Sequence, residues 1–206
     1  MIQASASDSA SAMAQPADIT LVCRPDRAGN RLVFPYAITN RGAVDVYVMD
    51  ASPAVDPNTR QAKADPHSAV IWLAADGFAH ILRGVAPLPL DRDVYGHVIP
   101  LGAKLSPDAT LERSLEVPLP LVETSPYYPD LPVRDYQLTD ISGVVLTVEF
   151  LRSTVEGFSA EPVDYAPGLY RVWGKNTVGQ TERVSCRFPS RQLSILKRPD
   201  NFPRPD

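Results

Sequence analysis

Apolar and polar positions alternate with a period of two along much of the chain. Arg31 to Thr39 sets Leu32, Phe34, Tyr36 and Ile38 on one face, the pattern of a half-buried β-strand. Asp18 to Arg24 does the same with Ile19, Leu21 and Cys23, and Val44 to Met49 with Val44, Val46 and Val48. Ala69 to Ala74 and Phe78 to Leu82 flank Ala75-Asp76-Gly77. An Asp-Gly step supplies the positive φ of a tight turn, so this stretch reads as a hairpin. Tyr95 to Leu101 is a weaker strand. Leu111 to Val117 places Leu111, Arg113, Leu115 and Val117 on one face, and Ile141 to Arg152 is the strongest strand in the chain. Leu169 to Trp173 and Gln180 to Phe188 form a second hairpin about Gly174 to Gly179, with Gln192 to Leu196 as a last strand. Pro35 predicts an edge position or a bulge, because proline donates nothing to a ladder.

Proline sharpens this picture. The 206 residues include 21 prolines, about twice the ordinary frequency of roughly 5%. A proline inside a helix removes a hydrogen bond and clashes with the preceding turn, at about 3 kcal/mol. Fewer than about one residue in ten is therefore expected in helix, against a usual one in three. Ser52 to Pro66 and Gly84 to Asp93 read as loops, Gly102 to Asp108 as turn chemistry. The expected fold is all-β, an antiparallel sandwich with long proline-rich loops. It is expected as one domain over residues 17–198, after a disordered N-terminal segment (1–16) and before a loose tail (199–206).

Three stretches carry a resemblance. Gly168-Leu169-Tyr170 after Asp164, running through Trp173 into Val184 and Cys186, resembles the penultimate strand of an immunoglobulin-like sandwich. Tyr170 then stands where such folds keep a corner tyrosine. Ile38-Thr39-Asn40-Arg41-Gly42 before Val44-Asp45-Val46-Tyr47, and Leu105-Ser106-Pro107-Asp108-Ala109-Thr110 before a strand, are similar to features of bacterial domains of this class. The overall order is similar to bacterial intracellular proteinase inhibitors of the BsuPI type. The resemblance implies an immunoglobulin-like β-sandwich; folds of this kind host many unrelated functions.

Charge and cysteine narrow the field. The net charge of −4 argues against nucleic-acid binding, which needs a strong positive field. From Leu105 to Tyr165 there are eleven acidic and three basic residues; from Arg183 to Asp206 there are six basic and two acidic. The basic end is expected to lie near the acidic middle, or else to meet an acidic partner or a membrane surface. No run of 18 apolar residues occurs, so no transmembrane segment is expected. Cys23 and Cys186 stand far apart without a C-x-x-C pair, which supports neither a zinc ribbon nor a thiol–disulfide site. They are read as reduced thiols on the first and last strands of a cytoplasmic protein. The alternative is a periplasmic or secreted protein in which they are bonded. Ala12-Met13-Ala14 resembles a signal cleavage site, which keeps that alternative open.

Candidate chemistry is sparse. His67, His80 and His97 are spaced by 13 and 17 residues, which matches no compact metal motif; no metal or cofactor is expected. No nucleophile elbow, phosphate loop or dinucleotide fingerprint occurs. Asp91 and Asp93 beside Tyr95 and His97 are the nearest approach to an acid–base cluster. His97, His80 and Asp93 are thus the candidates for an enzymatic alternative, a small hydrolase, isomerase or cyclase. The segment Pro118 to Tyr136 holds five prolines and Tyr127, Tyr128 and Tyr136. Aromatic rings on a stiffened loop suit recognition, or they cover the end of the core. The leading expectation is a non-catalytic binding module that presents these tyrosines to a protein partner or small ligand.

Overall fold

The computed structural model describes residues 16–89, 91, 93–199, 202 and 204. The N-terminal segment 1–16 thus lies outside the described residues except for Pro16, and of the tail only Pro199, Phe202 and Arg204 lie within them. Fourteen strands are described in chain order. They are β1 (Ile19–Cys23), β2 (Asp26–Ala28), β3 (Arg31–Asn40), β4 (Val46–Val55), β5 (Ala62–Asp65), β6 (Val70–Leu73) and β7 (Phe78–Arg83). There follow β8 (Leu101–Leu105), β9 (Thr110–Pro118), β10 (Leu121–Val122), β11 (Gln137–Arg152), β12 (Ser159–Pro162), β13 (Leu169–Trp173) and β14 (Glu182–Lys197). A 3-10 turn covers Val133–Asp135, and one turn of helix, α1, covers Thr177–Gln180. Of the described residues, 54% are in strands and 4% in helices. The protein is all-β.

One sheet is built on β3, with β9 along one edge and β1 then β2 along the other, all antiparallel. The alternation in β3 buries Leu32, Phe34, Tyr36 and Ile38. Pro35 lies in this central strand, not at an edge. Its carbonyl accepts from Arg24 N at 3.1 Å, and the return bond of that pair is the one proline cannot give, so the β1 ladder stops at Cys23.

The second sheet is built on β11. β14 runs antiparallel along one edge through almost its whole length, with a bulge between Ile141 and Gly143. The other edge is shared. β7 pairs with it in parallel over Gly143–Val148, and β4 pairs antiparallel over Phe150–Arg152. From β4 the sheet continues through β8, β13 and β12; from β7 it continues to β6. β10 pairs in parallel with β14, and Thr124 bridges Ile71 of β6. The ladders are therefore mixed, where sequence alone pointed to antiparallel pairing throughout.

The main core lies between the two sheets. Phe34, Ile38, Leu115 and Val117 from the first pack with Ile81, Leu146, Val148, Phe150, Val184 and Ile195 from the second. Each fully buried side chain of this size contributes about 1.5–3 kcal/mol. Residues 143–151 of β11 are all buried, because its outer face is also covered: Leu151 packs with Tyr47, Met49 and Val172. β14 is one strand where two were expected. β4 extends through Val55 and turns back as β5, so part of the expected Ser52–Pro66 loop is a two-stranded arm. Tyr95 to Pro100 has no regular structure, and the strand there is Leu101–Leu105.

Candidate functional site

The shared edge of β11 creates a fork. β7 leaves β11 after Arg83 opposite Val148, and β4 joins it at Val48 opposite Phe150. Glu149, between them, is buried and accepts hydrogen bonds from Val85 N at 2.7 Å and Arg183 Nε at 2.8 Å. These bonds turn the chain away after β7. The gap between the diverging strands is a cleft of about 280 Å³, lined by residues 49–54 of β4, by Leu82, Arg83 and Gly84, by Asp65, Ser68 and Ala69, and by Thr124, Ser125 and Pro126.

The cleft carries buried charge. Arg83 is only 2% exposed and reaches Asp50 Oδ1 from Nη2 at 3.3 Å; its Nη1 donates to the carbonyl of Pro66. Asp50 Oδ2 accepts from Arg113 Nε at 2.7 Å. Among the described residues the buried Nε–H of Arg83 has no hydrogen-bond partner, and neither has the buried hydroxyl of Tyr36. Burial pushes the Tyr36 phenol up to about 12, against the opposing pull of the Arg83 guanidinium. Tyr36, Asp50, Arg83 and Arg113 thus form a polar cluster at the edge of the core. An unpaired buried donor costs about 1–3 kcal/mol, and Nε of Arg83 carries that cost beside the cleft.

A second concavity of about 340 Å³ adjoins the first, and the two share Pro53 and Pro100. It is lined by His97, Tyr165, Arg171 and Trp173, with Ile99, Leu101 and Val172. The buried Nδ1 of His97 has no hydrogen-bond partner among the described residues. Asp93, the carboxylate expected beside it, is exposed and accepts no bond from Nδ1. His80 approaches a carboxylate at 3.9 Å from Asp76, beyond hydrogen-bond reach, and lies against Trp72. Desolvation lowers its pKa, and it lines neither concavity. His67 accepts from Glu116 N at 3.4 Å. The three histidines are not brought together.

The tyrosine segment forms a wall of the site. Tyr127 and Tyr128 are half-buried against Val70, Trp72, Leu82, Ala86 and Phe202. The hydroxyl of Tyr127 accepts from Val98 N at 2.9 Å, tying the segment to the 84–100 loop at the cleft rim. Tyr128 donates to Asp91 and meets Phe202 edge-on at 5.1 Å. Tyr136 stands apart, accepting from Leu131 N at 3.3 Å. The segment is anchored by Glu123, whose fully buried carboxylate accepts from Leu73 N, Arg198 N and two nitrogens of Arg204. Phe202 is buried and Arg204 is paired, so these two residues of the expected loose tail are held down.

Asp50, Arg83 and the fork were not singled out from sequence. The signal was a charged residue on an apolar face, visible as Arg113 between Leu111 and Leu115 and as Arg83 two residues after Ile81. No family model, curated protein or solved structure matches the chain. Among the described residues, no helix is long and apolar enough to cross a membrane.

Proposed function

We propose that the chain is a non-catalytic binding module that takes a small ligand, or a short segment of a protein partner, in the cleft at the fork. The observation that carries this reading is the buried Asp50–Arg83 pair lining a concavity with the Nε–H of Arg83 unmatched. Sites of this kind combine a largely preformed hollow with a few placed polar groups. The tyrosine segment supports it as a wall held by Tyr127 and Glu123, which limits the ordering cost of binding. The enzymatic alternative needs a histidine and a carboxylate in mutual reach within a cleft, and the geometry favours it less. The immunoglobulin-like kinship belongs to the same proposal, supported by two facing sheets with mainly antiparallel ladders.

The test is a thermal-shift screen of small polar compounds and short peptides against the wild-type chain and Ser68→Trp, which fills the cleft. A binder at about 100 times its Kd adds about 2.7 kcal/mol of stability. Ser68→Trp should abolish that gain, while Tyr95→Ala, on the exposed loop, should keep it. Equal stabilisation of Ser68→Trp would show that binding lies elsewhere.

A further inference from the structure

We propose that the fork cleft and its aromatic neighbour bind a neutral oligosaccharide, one ring or more in each concavity. This rests on the cleft being the binding site and names what it takes.

Charge argues first. The two concavities are lined by two carboxylates, Asp50 and Asp65, and two guanidinium groups, Arg83 and Arg171. Their charges cancel, so the lining offers no field that selects a strongly charged ligand. It offers donors and acceptors side by side. Arg83 and Asp50 lie at 3.3 Å from each other, and the hydroxyl residues Ser52, Ser68, Thr124 and Ser125 share the same walls. Neighbouring hydroxyls of a sugar both donate and accept, and a carboxylate beside a guanidinium matches such a pair.

Aromatic character argues second and independently. The adjoining concavity brings Trp173, Tyr165 and His97 together with Val172 and Ile99. A pyranose has a polar rim and an apolar C–H face, and that face stacks on flat rings. The His97 ring adds a third flat face to the same concavity. Polar groups in one half and rings in the other, meeting at Pro53 and Pro100, suit a chain of sugar units more than a single small molecule. The volumes of about 280 and 340 Å³ fall just below and just above the lower bound of the ligand-site range of roughly 300–1,000 Å³.

The experiment titrates the full chain with maltotriose, cellotriose, xylotriose and N-acetylchitotriose, followed by amide chemical shifts. Concentrations reach about 10 mM, enough to populate a millimolar complex. At least one trisaccharide should shift residues of both concavities together. Trp173→Ala, with an unchanged melting temperature, should weaken that binding about tenfold or more. Trp173 lies in β13, so Tyr165→Ala on the exposed rim, outside any strand, serves as the second variant, with a smaller loss in the same direction. No cleft shifts with any of the four sugars overturns the oligosaccharide assignment. Shifts in the same residues with a short peptide, and none with sugars, overturn it while leaving the binding cleft standing. Sugar-induced shifts confined to residues outside both concavities overturn both.

Discussion

Removing Asp50 should be far more damaging than removing Asp50 and Arg83 together. The Arg83 side chain is 2% exposed and that of Asp50 is 6% exposed. Asp50→Ala leaves the Arg83 guanidinium buried with only the carbonyl of Pro66 as a partner, and also releases Arg113. Breaking a buried ion pair from one side costs about 3–5 kcal/mol. For a domain of this size each kcal/mol lowers Tm by about 2–4 °C, so the fall is roughly 6–20 °C. Replacing both by apolar residues of similar volume, Asp50→Leu with Arg83→Met, removes both desolvation costs and is expected to be neutral or stabilising. Urea unfolding of the wild type, Asp50→Leu, Arg83→Met and the double variant gives the cycle. Coupling of about 3 kcal/mol or more supports a buried pair at the fork; single variants that each cost under about 1 kcal/mol refute it. The double variant also separates folding from recognition, because it keeps the scaffold and removes the polar half of the cleft.

Four further outcomes follow from the geometry. Glu123→Ala should cost about 3–5 kcal/mol in urea unfolding, because it strands Arg204 and two backbone N–H groups; the loosening should appear as faster amide exchange at Leu73 and Arg198. Gly143→Val should fail to fold or lose several kcal/mol, since Gly143 has φ +152° and a Cβ there would collide with the Phe188 carbonyl and the Pro189 backbone, whereas a wild-type melting curve would exclude the bulge. Cys23, pushed up to about 12 by burial and then by the neighbouring Cys186, and Cys186, raised by burial, should resist iodoacetamide at pH 8 in the folded protein and react on unfolding. Hydrogen bonds from Arg152 hold the Asp18 carboxyl below its ordinary range. Its contribution is thus present above its unfolded pKa of about 3.9 and lost as pH falls through the lower folded value, so Asp18→Asn should flatten the acid limb of the stability curve.

The strands were legible where one face is buried. In β3 and β9 the period of two alone locates the core side chains, from Leu32 to Ile38 and from Leu115 to Val117. It failed where pairing is long-range. Nothing local in Phe78–Arg83 reveals that β7 pairs in parallel with β11, so the fork could not be foreseen. Asp50 and Arg83 follow apolar runs, and a charge at a strand end ordinarily faces water; only the partner across the fork makes both of them buried. Pro53 masked the extension of β4 into the β5 arm, because proline weakens a strand reading. The segment 118–136 was legible as unusual through its prolines and tyrosines. Its anchor was not, because Glu123 meets Arg198 and Arg204 across some 75 and 81 positions.

The most direct test of the fork cleft as the binding site is an amide chemical-shift map of the full chain. The probes are a mixed panel of neutral trisaccharides, amino acids and short peptides. The account predicts that a binder shifts Asp50 to Ala54, Ser68 to Val70 and Arg83 to Ala86 together, with Thr124 and Ser125 following. Shifts confined to the exposed stretch from Val133 to Leu138, or to the outer face of β9, with the fork unmoved, would contradict it.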